Sequence, residues 1–495
     1  MAAKDIIKGK EVFFLFLLIV FTALFRQQAA NMPLDVNEGS YAYGAEQMSR
    51  GVVPYDGFFQ HRPPVILYVY KAAFSFFGHT SEAVRNFATL YVTAVILAIY
   101  MLARVLWRSA FTAMLAAFFY VIYQHSLILQ GLTANAAFFA QLPVILSMLF
   151  VLDRDKKYET VNFCASGFFA ATALLTDLMA GLFVFVPLLY IIVFCHGRRV
   201  KGLLWFLAGY AAVLAAAVLW AFYNHIQYDI LVSVIIYNFK ALLKAGKGTG
   251  FGEFLLANMI PAVAFIYSGW HVFVRRGKTE AEKEANATNE KSGMNFMFFF
   301  TAFFLYAAIF MTKGGQPHYY AALMPVAAFL SAALVHDMYL FLNAEKDVRP
   351  YSWIILTMFL VLNTAAAANV NRIGMFMKTS FYAEPLYYEQ RAMAQTIILS
   401  SQNKEIKNNF VFAWPDMPSV YFTVGVKPAS RYAYTFPLEV FTDEMKKIME
   451  DMTQERPSWL VIQRGSFGPY QAFLDNYYAK AAETKNLVLY RNILF

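Results

Sequence analysis

The chain has 495 residues, of which 59% are hydrophobic and 15% are charged, and its formal net charge is +9. This composition, with 50 Phe and 31 Tyr, is typical of a polytopic membrane protein and disfavours a soluble enzyme. The two cysteines, Cys164 and Cys195, lie in apolar runs, so the sequence predicts no disulfide framework, metal site or redox motif.

Apolar runs of about 20 residues, long enough to cross a hydrocarbon core of about 30 Å, predict eleven transmembrane helices. They cover residues 11–26, 85–107, 109–125, 134–152, 159–176, 178–195, 203–223, 253–274, 294–311, 319–341 and 351–369. Lys and Arg gather in alternate connections, which predicts a cytoplasmic N-terminus and an outer location for residues 371–495. The positive net charge is therefore a topology signal, and no nucleic-acid partner is expected.

The predicted fold is a transmembrane module over residues 1–370, with its first outer loop at 27–84, followed by a small outer α/β domain at 371–495. In that loop, Asp35 and Glu38 have capping-box spacing before a helix that runs through Met48. A second helix starts at Pro63 and ends at Gly78. It is too short to span, so we expect it in the membrane interface.

Two further outer segments are predicted. Residues 224–252 indicate another interfacial helix followed by a Gly/Lys loop. In the tail, helices near 380–402, 438–452 and 469–481 alternate with short apolar strands at 409–416, 458–464 and 486–492.

The carboxylates of the first loop are the strongest candidates for chemistry. Asp35 and Glu38 are three residues apart, so at a helix start both can face one space. A partly desolvated carboxylate at the outer membrane edge suits a general base for activating a hydroxyl or amine, a role worth about 10²–10⁴ in rate. The same two residues at this spacing equally suit a purely structural capping box.

A possible anion site follows at His61-Arg62-Pro63-Pro64. A cation before a helix N-terminus attracts phosphate, because free backbone N–H groups face the same volume. Lys313, in the loop before the tenth span, is a further candidate phosphate ligand. Bulk lipid headgroups could also explain such an arginine. Tyr55, Asp56, Asp177, His318 and Tyr319 are predicted to contact substrate.

The sequence contains neither GxxxxGK[ST] nor a strand–GxGxxG–helix unit. An activated substrate must therefore arrive in another form. A lipid-linked donor fits both this absence and the predicted phosphate site.

The region after the first span resembles the GT-C membrane glycosyltransferases, and most closely the protein O-mannosyltransferase and aminoarabinose-transferase branch (family 39-like), which has many bacterial members. The residues that carry the resemblance are Asp35 to Gly39, Tyr41, Pro54-Tyr55, His61-Arg62-Pro63-Pro64, Gly78 and Arg85-Asn86. It extends over most of the chain, through the spans, the Pro-His-Tyr loop and the outer C-terminal domain.

The resemblance implies sugar transfer from a polyprenyl-phosphate-linked donor at the outer face, generally with inversion and often without a metal or other cofactor. The acceptor would be a lipid, a glycan or a protein of the cell envelope. A first-loop acid would act as base, and Arg62, standing where relatives have Lys, would bind the lipid phosphate. The implied location is a bacterial inner membrane.

The chain departs from the family at Asn37, where relatives usually have the Asp of an Asp-Glu pair. Asparagine cannot act as a general base, so the role passes to Asp35 or Glu38, or is lost. Two alternatives therefore remain: a transporter or flippase for a lipid-linked glycan, and a non-catalytic homologue that binds polyprenyl phosphate. The absence of internal repeats and the grouping of polar residues at one face favour the enzyme over the transporter.

Overall fold

The computed structural model describes residues 9–125, 130–152, 157–244, 264–267, 297, 299–304, 307, 317–344, 354, 357, 385–401, 410–435, 444–466 and 471–493. These residues group into two compact units. The first contains residues 9–27, 88–217 and the described residues from 264 to 357, and the second contains 28–87, 218–244 and 385–493. The second unit thus joins the first outer loop to the tail. The domain boundary predicted at residue 370 stays a prediction.

Helices dominate the described residues up to 344. They are α1 (Gly9–Gln27), α2 (Val36–Ser49), α3 (Val65–Phe77), α4 (Ser81–Trp107), α5 (Ala110–Gln124), α6 (Ala136–Phe139), α7 (Gln141–Leu152), α8 (Glu159–Thr176), α9 (Phe185–Phe194), α10 (Arg199–Tyr223), α11 (Gln227–Ile230), α12 (Tyr237–Lys244) and α13 (Met324–Ala344). The same region contains two 3₁₀ helices, Leu178–Val184 and Pro317–Leu323, and a π-helix, Leu231–Ile236.

Three of the described helices are long and apolar enough to cross a membrane: Ser81–Trp107, Arg199–Tyr223 and Tyr319–Asn343. Shorter apolar helices cover Val65–Phe77, Ala110–Gln124, Ala136–Leu152 and Leu178–Phe194. Eight of the predicted spans coincide with helices. The eighth, ninth and eleventh lie mostly outside the described residues, so the count of eleven stays a prediction.

Glycines allow two helices of the first unit to pack backbone against backbone. A Cβ atom at Gly167 of α8 would lie 1.9 Å from the carbonyl oxygen of Phe206 in α10, and one at Gly209 of α10 would lie 2.0 Å from that of Cys164. Only a residue without a side chain fits such contacts, which resemble the small-residue interfaces of membrane helices.

In the first outer loop the predicted capping box and both helix ends are confirmed, but the predicted start of the second helix is not. Helix α2 begins after Asp35 with a complete capping box and ends before Gly51, whose φ is +84°. Helix α3 ends at Gly78, with a φ of +86°, as predicted. It begins at Val65 rather than at Pro63, because Pro64 takes the N-cap position. The helical prediction for 224–252 is confirmed as far as residue 244, and the loop after it lies outside the described residues.

The tail forms a five-stranded mixed sheet with helices. Its elements are α14 (Pro385–Ser401), β1 (Phe410–Trp414), α15 (Pro418–Val424), β2 (Lys427–Pro428), α16 (Glu444–Glu455), β3 (Trp459–Gln463), α17 (Gln471–Tyr477), β4 (Tyr478–Glu483) and β5 (Leu487–Asn492). The strand order is β2-β1-β3-β5-β4. Strand β1 is parallel to β2 and β3, whereas β5 is antiparallel to β3 and β4.

The three predicted strands match β1, β3 and β5, but one predicted helix is wrong over part of its length. The helix expected at 469–481 ends at Tyr477, and the chain continues directly into β4. The segment Tyr-Ala-Lys-Ala-Ala-Glu has poor intrinsic strand propensity. Its pairing with β5, from Tyr478 opposite Asn492 onward, overrides that local preference.

Candidate functional site

The polar cluster of the second unit begins at the N-terminus of α2. The Asp35 carboxylate accepts a 2.8 Å hydrogen bond from the Glu38 backbone N–H, and the Glu38 carboxylate accepts one of 3.2 Å from the Asp35 N–H. The capping box predicted from the spacing of Asp35 and Glu38 is therefore confirmed. A capping role does not exclude chemistry, because the box engages only part of each carboxylate.

Glu38 is further engaged in a buried ion pair. Both of its carboxylate oxygens accept hydrogen bonds from the Arg85 guanidinium of α4, one of them at 2.7 Å. The two side chains are fully or almost fully buried, at 0% and 3% exposure. The same guanidinium donates to the Pro33 carbonyl oxygen at 3.3 Å. These contacts engage both carboxylate oxygens of Glu38 and hold its side chain in place, and its predicted role as a base stays a prediction.

Asp35 differs from Glu38 in its environment. It is half-buried rather than fully buried. Burial, and next the negative charge of Glu38, raise the pKa of Asp35 from its usual 3.8 to about 7, against the opposing effect of Arg85. A carboxyl group with a pKa near neutrality is suited to take up a proton during a reaction and release it afterwards.

His61 and Arg62 lie just before α3 and are both buried, at 6% and 4% exposure. His61 Nδ1 is 3.0 Å from the hydroxyl of Tyr434, and its carbonyl oxygen accepts a 2.7 Å hydrogen bond from Asn238 of α12. Burial, and next the charge of Arg62, hold the pKa of His61 well below its ordinary range. Arg62 is therefore the cation of this pair, and His61 is neutral.

Arg431 of the tail stabilises the turn that precedes His61 and Arg62. Tyr55 is fully buried with a φ of +69°, and its hydroxyl donates to the Arg62 carbonyl oxygen at 2.8 Å. Arg431 in turn donates to the Tyr55 carbonyl oxygen at 2.7 Å and lies 3.9 Å from Asp229. Asp56 is exposed. In this arrangement Tyr55 supports the loop, and the predicted substrate contacts of Tyr55 and Asp56 stay predictions.

Buried tyrosines connect the acidic end of the cluster to the basic end. Tyr70 of α3 lies within electrostatic range of Asp35, Glu38 and Arg85, and its ring packs edge-on against Tyr41 at 5.5 Å. Tyr434 lies within electrostatic range of Tyr41 and Arg62. Asp35, Glu38, His61 and Arg62 thus lie in a single unit and are linked by Tyr70, Tyr41 and Tyr434 into a network of ring and electrostatic interactions.

The remaining predicted site residues lie elsewhere. Asp177, in the first unit, is fully buried and caps the 3₁₀ helix after α8, accepting a 3.1 Å hydrogen bond from the Met179 N–H. His318 and Tyr319 lie on the 3₁₀ helix Pro317–Leu323. Lys313 is outside the described residues. Ligand roles for these four residues stay predictions.

Several residues of the network were not assigned a role from the sequence. Arg85 and Tyr434 are the main examples. A charge near the start of an apolar helix needs a partner, and this signal could have singled out Arg85. Among the described residues, no three His, Cys, Asp or Glu side chains converge as a metal site requires. The expectation of a metal-independent site stays a prediction.

Part of this chain resembles a known protein family. Residues 61–222 match the family model described as dolichyl-phosphate-mannose-protein mannosyltransferase. No curated protein matches the chain significantly.

Three solved structures share the fold at low sequence identity. The apo form of ArnT from Cupriavidus metallidurans has a TM-score of 0.61 at 14% identity, over 98% of this chain and 99% of that one. Its complex with undecaprenyl phosphate scores 0.58 at 14% identity, over 97% and 98%. The Archaeoglobus fulgidus oligosaccharyltransferase tethered with an acceptor peptide scores 0.55 at 14% identity, over 97% of this chain and 74% of that one. The chain is therefore similar to this mannosyltransferase family over residues 61–222, and it shares the fold of ArnT and of the archaeal oligosaccharyltransferase.

Proposed function

We propose that the protein transfers a sugar from a polyprenyl-phosphate-linked donor to an acceptor lipid, glycan or protein at the outer face of a bacterial inner membrane. The observation that carries this proposal is Asp35. It is a half-buried carboxyl group with a pKa of about 7, in the same network as the buried cation Arg62. The undecaprenyl phosphate bound by the structurally similar ArnT supports a donor of this kind.

In the proposed step, the Asp35 carboxylate accepts the proton of an acceptor hydroxyl or amine. The freed electron pair forms the bond to the anomeric carbon of the sugar. The bond between that carbon and the phosphate oxygen breaks, and its electrons leave on polyprenyl phosphate. A single displacement of this type inverts the anomeric configuration. Asp35 then releases the proton to water or to the departing phosphate.

Arg62 would stabilise the negative charge that develops on the leaving phosphate. Its guanidinium stays protonated even when buried, and a charge acts more strongly in a low-dielectric site than in water. His61, held neutral, would donate a hydrogen bond rather than a charge. Glu38 and Arg85 would act as positioning residues, because their ion pair fixes the start of α2. The charge of Glu38 contributes to the raised pKa of Asp35, and the charge of Arg85 opposes it.

The proposed function is tested by measuring sugar transfer by the purified protein. The purified full chain, in phosphatidylcholine nanodiscs, is given radiolabelled polyprenyl-phosphate sugars together with lipid, glycan or protein acceptors. We expect acceptor-dependent release of polyprenyl phosphate and label on the acceptor. Donor binding without release would identify a non-catalytic homologue. Movement of intact donor across a vesicle bilayer without transfer would identify a transporter.

The rate of transfer should depend on pH through Asp35. Since the base must be deprotonated and its pKa is about 7, kcat/KM is expected to be half-maximal near pH 7 and to fall about tenfold per pH unit below it. The measurement is a pH profile of single-turnover transfer, and a profile flat between pH 5 and 8 would contradict the assignment.

The raised pKa of Asp35 makes folding stability fall as pH rises, whereas the transfer rate rises with pH. Between pH about 4 and 7 the folded protein binds a proton at Asp35 that the unfolded chain has lost, so this group's contribution to stability falls as pH rises through that window.

A further inference from the structure

A cavity of about 250 Å³ lies within the second unit, beside the start of α2. Its walls come from three segments that are distant in sequence: residues 33–34 of the first outer loop, the turn 79–82 before α4, and helices α14 and α15 of the tail. It is smaller than the roughly 300–1,000 Å³ typical of drug-sized ligand sites. The space suits a single small group rather than an extended chain.

Helix α14 presents one face to the cavity. Tyr387, Arg391, Gln395 and Ile398 line it, and their spacing of four, four and three residues places them along one side of a helix. The side chains that α14 buries in the tail are a different set, which includes Met393, Ala394 and Ile397. The face towards the cavity is therefore distinct from the face that packs in the core of the tail.

The cavity is held in a fixed position next to Asp35. Residues Pro33 and Leu34 in its wall directly precede Asp35, whose Cα is about 3.8 Å from that of Leu34. Ser419 of α15 also lines the cavity, and its backbone lies close to α2. A Cβ atom at Gly39 would lie 2.7 Å from the Ser419 backbone nitrogen. Neither wall can shift far without moving the N-terminus of α2.

The charges of the lining balance one another. Arg391 lies 3.7 Å from Glu82 and donates a 2.9 Å hydrogen bond to the Asn31 carbonyl oxygen. The remaining polar lining consists of amide and hydroxyl groups, from Gln395, Thr423 and their neighbours, and of the His79 imidazole. Such a lining offers donors and acceptors without a net charge, which favours a neutral, hydroxyl-rich ligand over a phosphate or a carboxylate.

Stacked rings form part of the same wall. The His79 ring stacks on Phe74 at 5.0 Å, and Phe74 stacks on Phe422 at 5.3 Å. His79 and Phe422 both line the cavity. Rigid rings give contact area for the apolar C–H face of a ligand whose other groups form hydrogen bonds.

We propose that this cavity is the acceptor subsite, that it holds a neutral sugar unit, and that it directs one hydroxyl of that unit towards Asp35. The inference rests on the proposed transferase function and names the class of its acceptor.

Filling the cavity tests this inference. Gln395→Trp and Thr423→Trp introduce an indole at exposed lining positions, one on α14 and one on α15. Ala392→Trp adds the same group at an exposed position of α14 outside the lining. The probe is methyl α-D-mannopyranoside or methyl β-D-glucopyranoside, compared with glucose 6-phosphate, by saturation-transfer NMR on the full chain. Phosphatidylcholine nanodiscs are used because sugar-headed detergents would compete.

We expect a neutral glycoside to bind the wild type and Ala392→Trp equally, and each filling variant at least about tenfold more weakly, since the indole occupies the ligand's space. Binding of undecaprenyl phosphate should be the same in all four proteins. Equal glycoside binding in all of them, or binding of glucose 6-phosphate alone, would overturn the inference. An active wild type whose filling variants keep the same acceptor KM would also overturn it. A chain that binds the glycoside in the cavity but transfers no sugar would instead contradict the proposed function.

Discussion

Replacing Asp35 by Asn is expected to lower kcat by about 10²–10⁴, the usual contribution of a general base, while the protein remains folded. Asn caps a helix N-terminus about as well as Asp, so it can still accept the hydrogen bond from the Glu38 N–H that Asp35 accepts at 2.8 Å. Only the proton-accepting capacity is lost. The measurements are single-turnover transfer from a radiolabelled donor and thermal unfolding of the same preparation.

Two further variants separate catalysis from folding. Asp35→Ala removes both the base and the cap, so it should add a loss of stability of about 0.5–2 kcal/mol to the loss of rate. Asp475→Asn makes the same chemical change at an exposed acid of α17 and should leave kcat unchanged. If Asp35→Asn keeps the wild-type kcat, a group other than Asp35 is the base. Wild-type activity in the double variant Asp35→Ala, Glu38→Ala would exclude both carboxylates.

Replacing Arg85 by Met is expected to lower the free energy of unfolding by about 3–5 kcal/mol, because it leaves the Glu38 carboxylate buried without its cation. Both side chains are at most 3% exposed, so water cannot replace the guanidinium. Denaturant unfolding of the full chain in detergent measures the effect.

A second pair, on α2, provides the comparison. Arg50 pairs with Glu46 four residues earlier, at 2.7 Å, and the two side chains are 42% and 11% exposed. Arg50→Met should lower stability less than Arg85→Met, because water reaches the arginine of this pair. The double variant Arg85→Met, Glu38→Gln should regain most of the lost stability, since no unpaired charge remains. Equal effects of Arg85→Met and Arg50→Met would show that the buried pair has no special energetic role.

Local chemistry allowed the first outer loop to be predicted well. The capping box of Asp35 and Glu38 depends on groups three residues apart, and the ends of α2 and α3 depend on Gly51 and Gly78, which adopt positive φ without strain. The same holds for β1, β3 and β5, whose short apolar runs indicate buried strands. Strand β4 was missed because its pairing with β5, rather than its composition, determines its conformation.

The sequence by itself determined the membrane class, the positions of the apolar helices and the segment in which the polar chemistry concentrates, because hydrophobic length and capping are properties of neighbouring residues. Only the tertiary structure distinguished the two acids. Glu38 meets Arg85 across 47 residues, and His61 meets Tyr434 across 373. The pKa of Asp35 depends on burial by such distant partners, since desolvation and Coulomb interactions act through space and not along the chain.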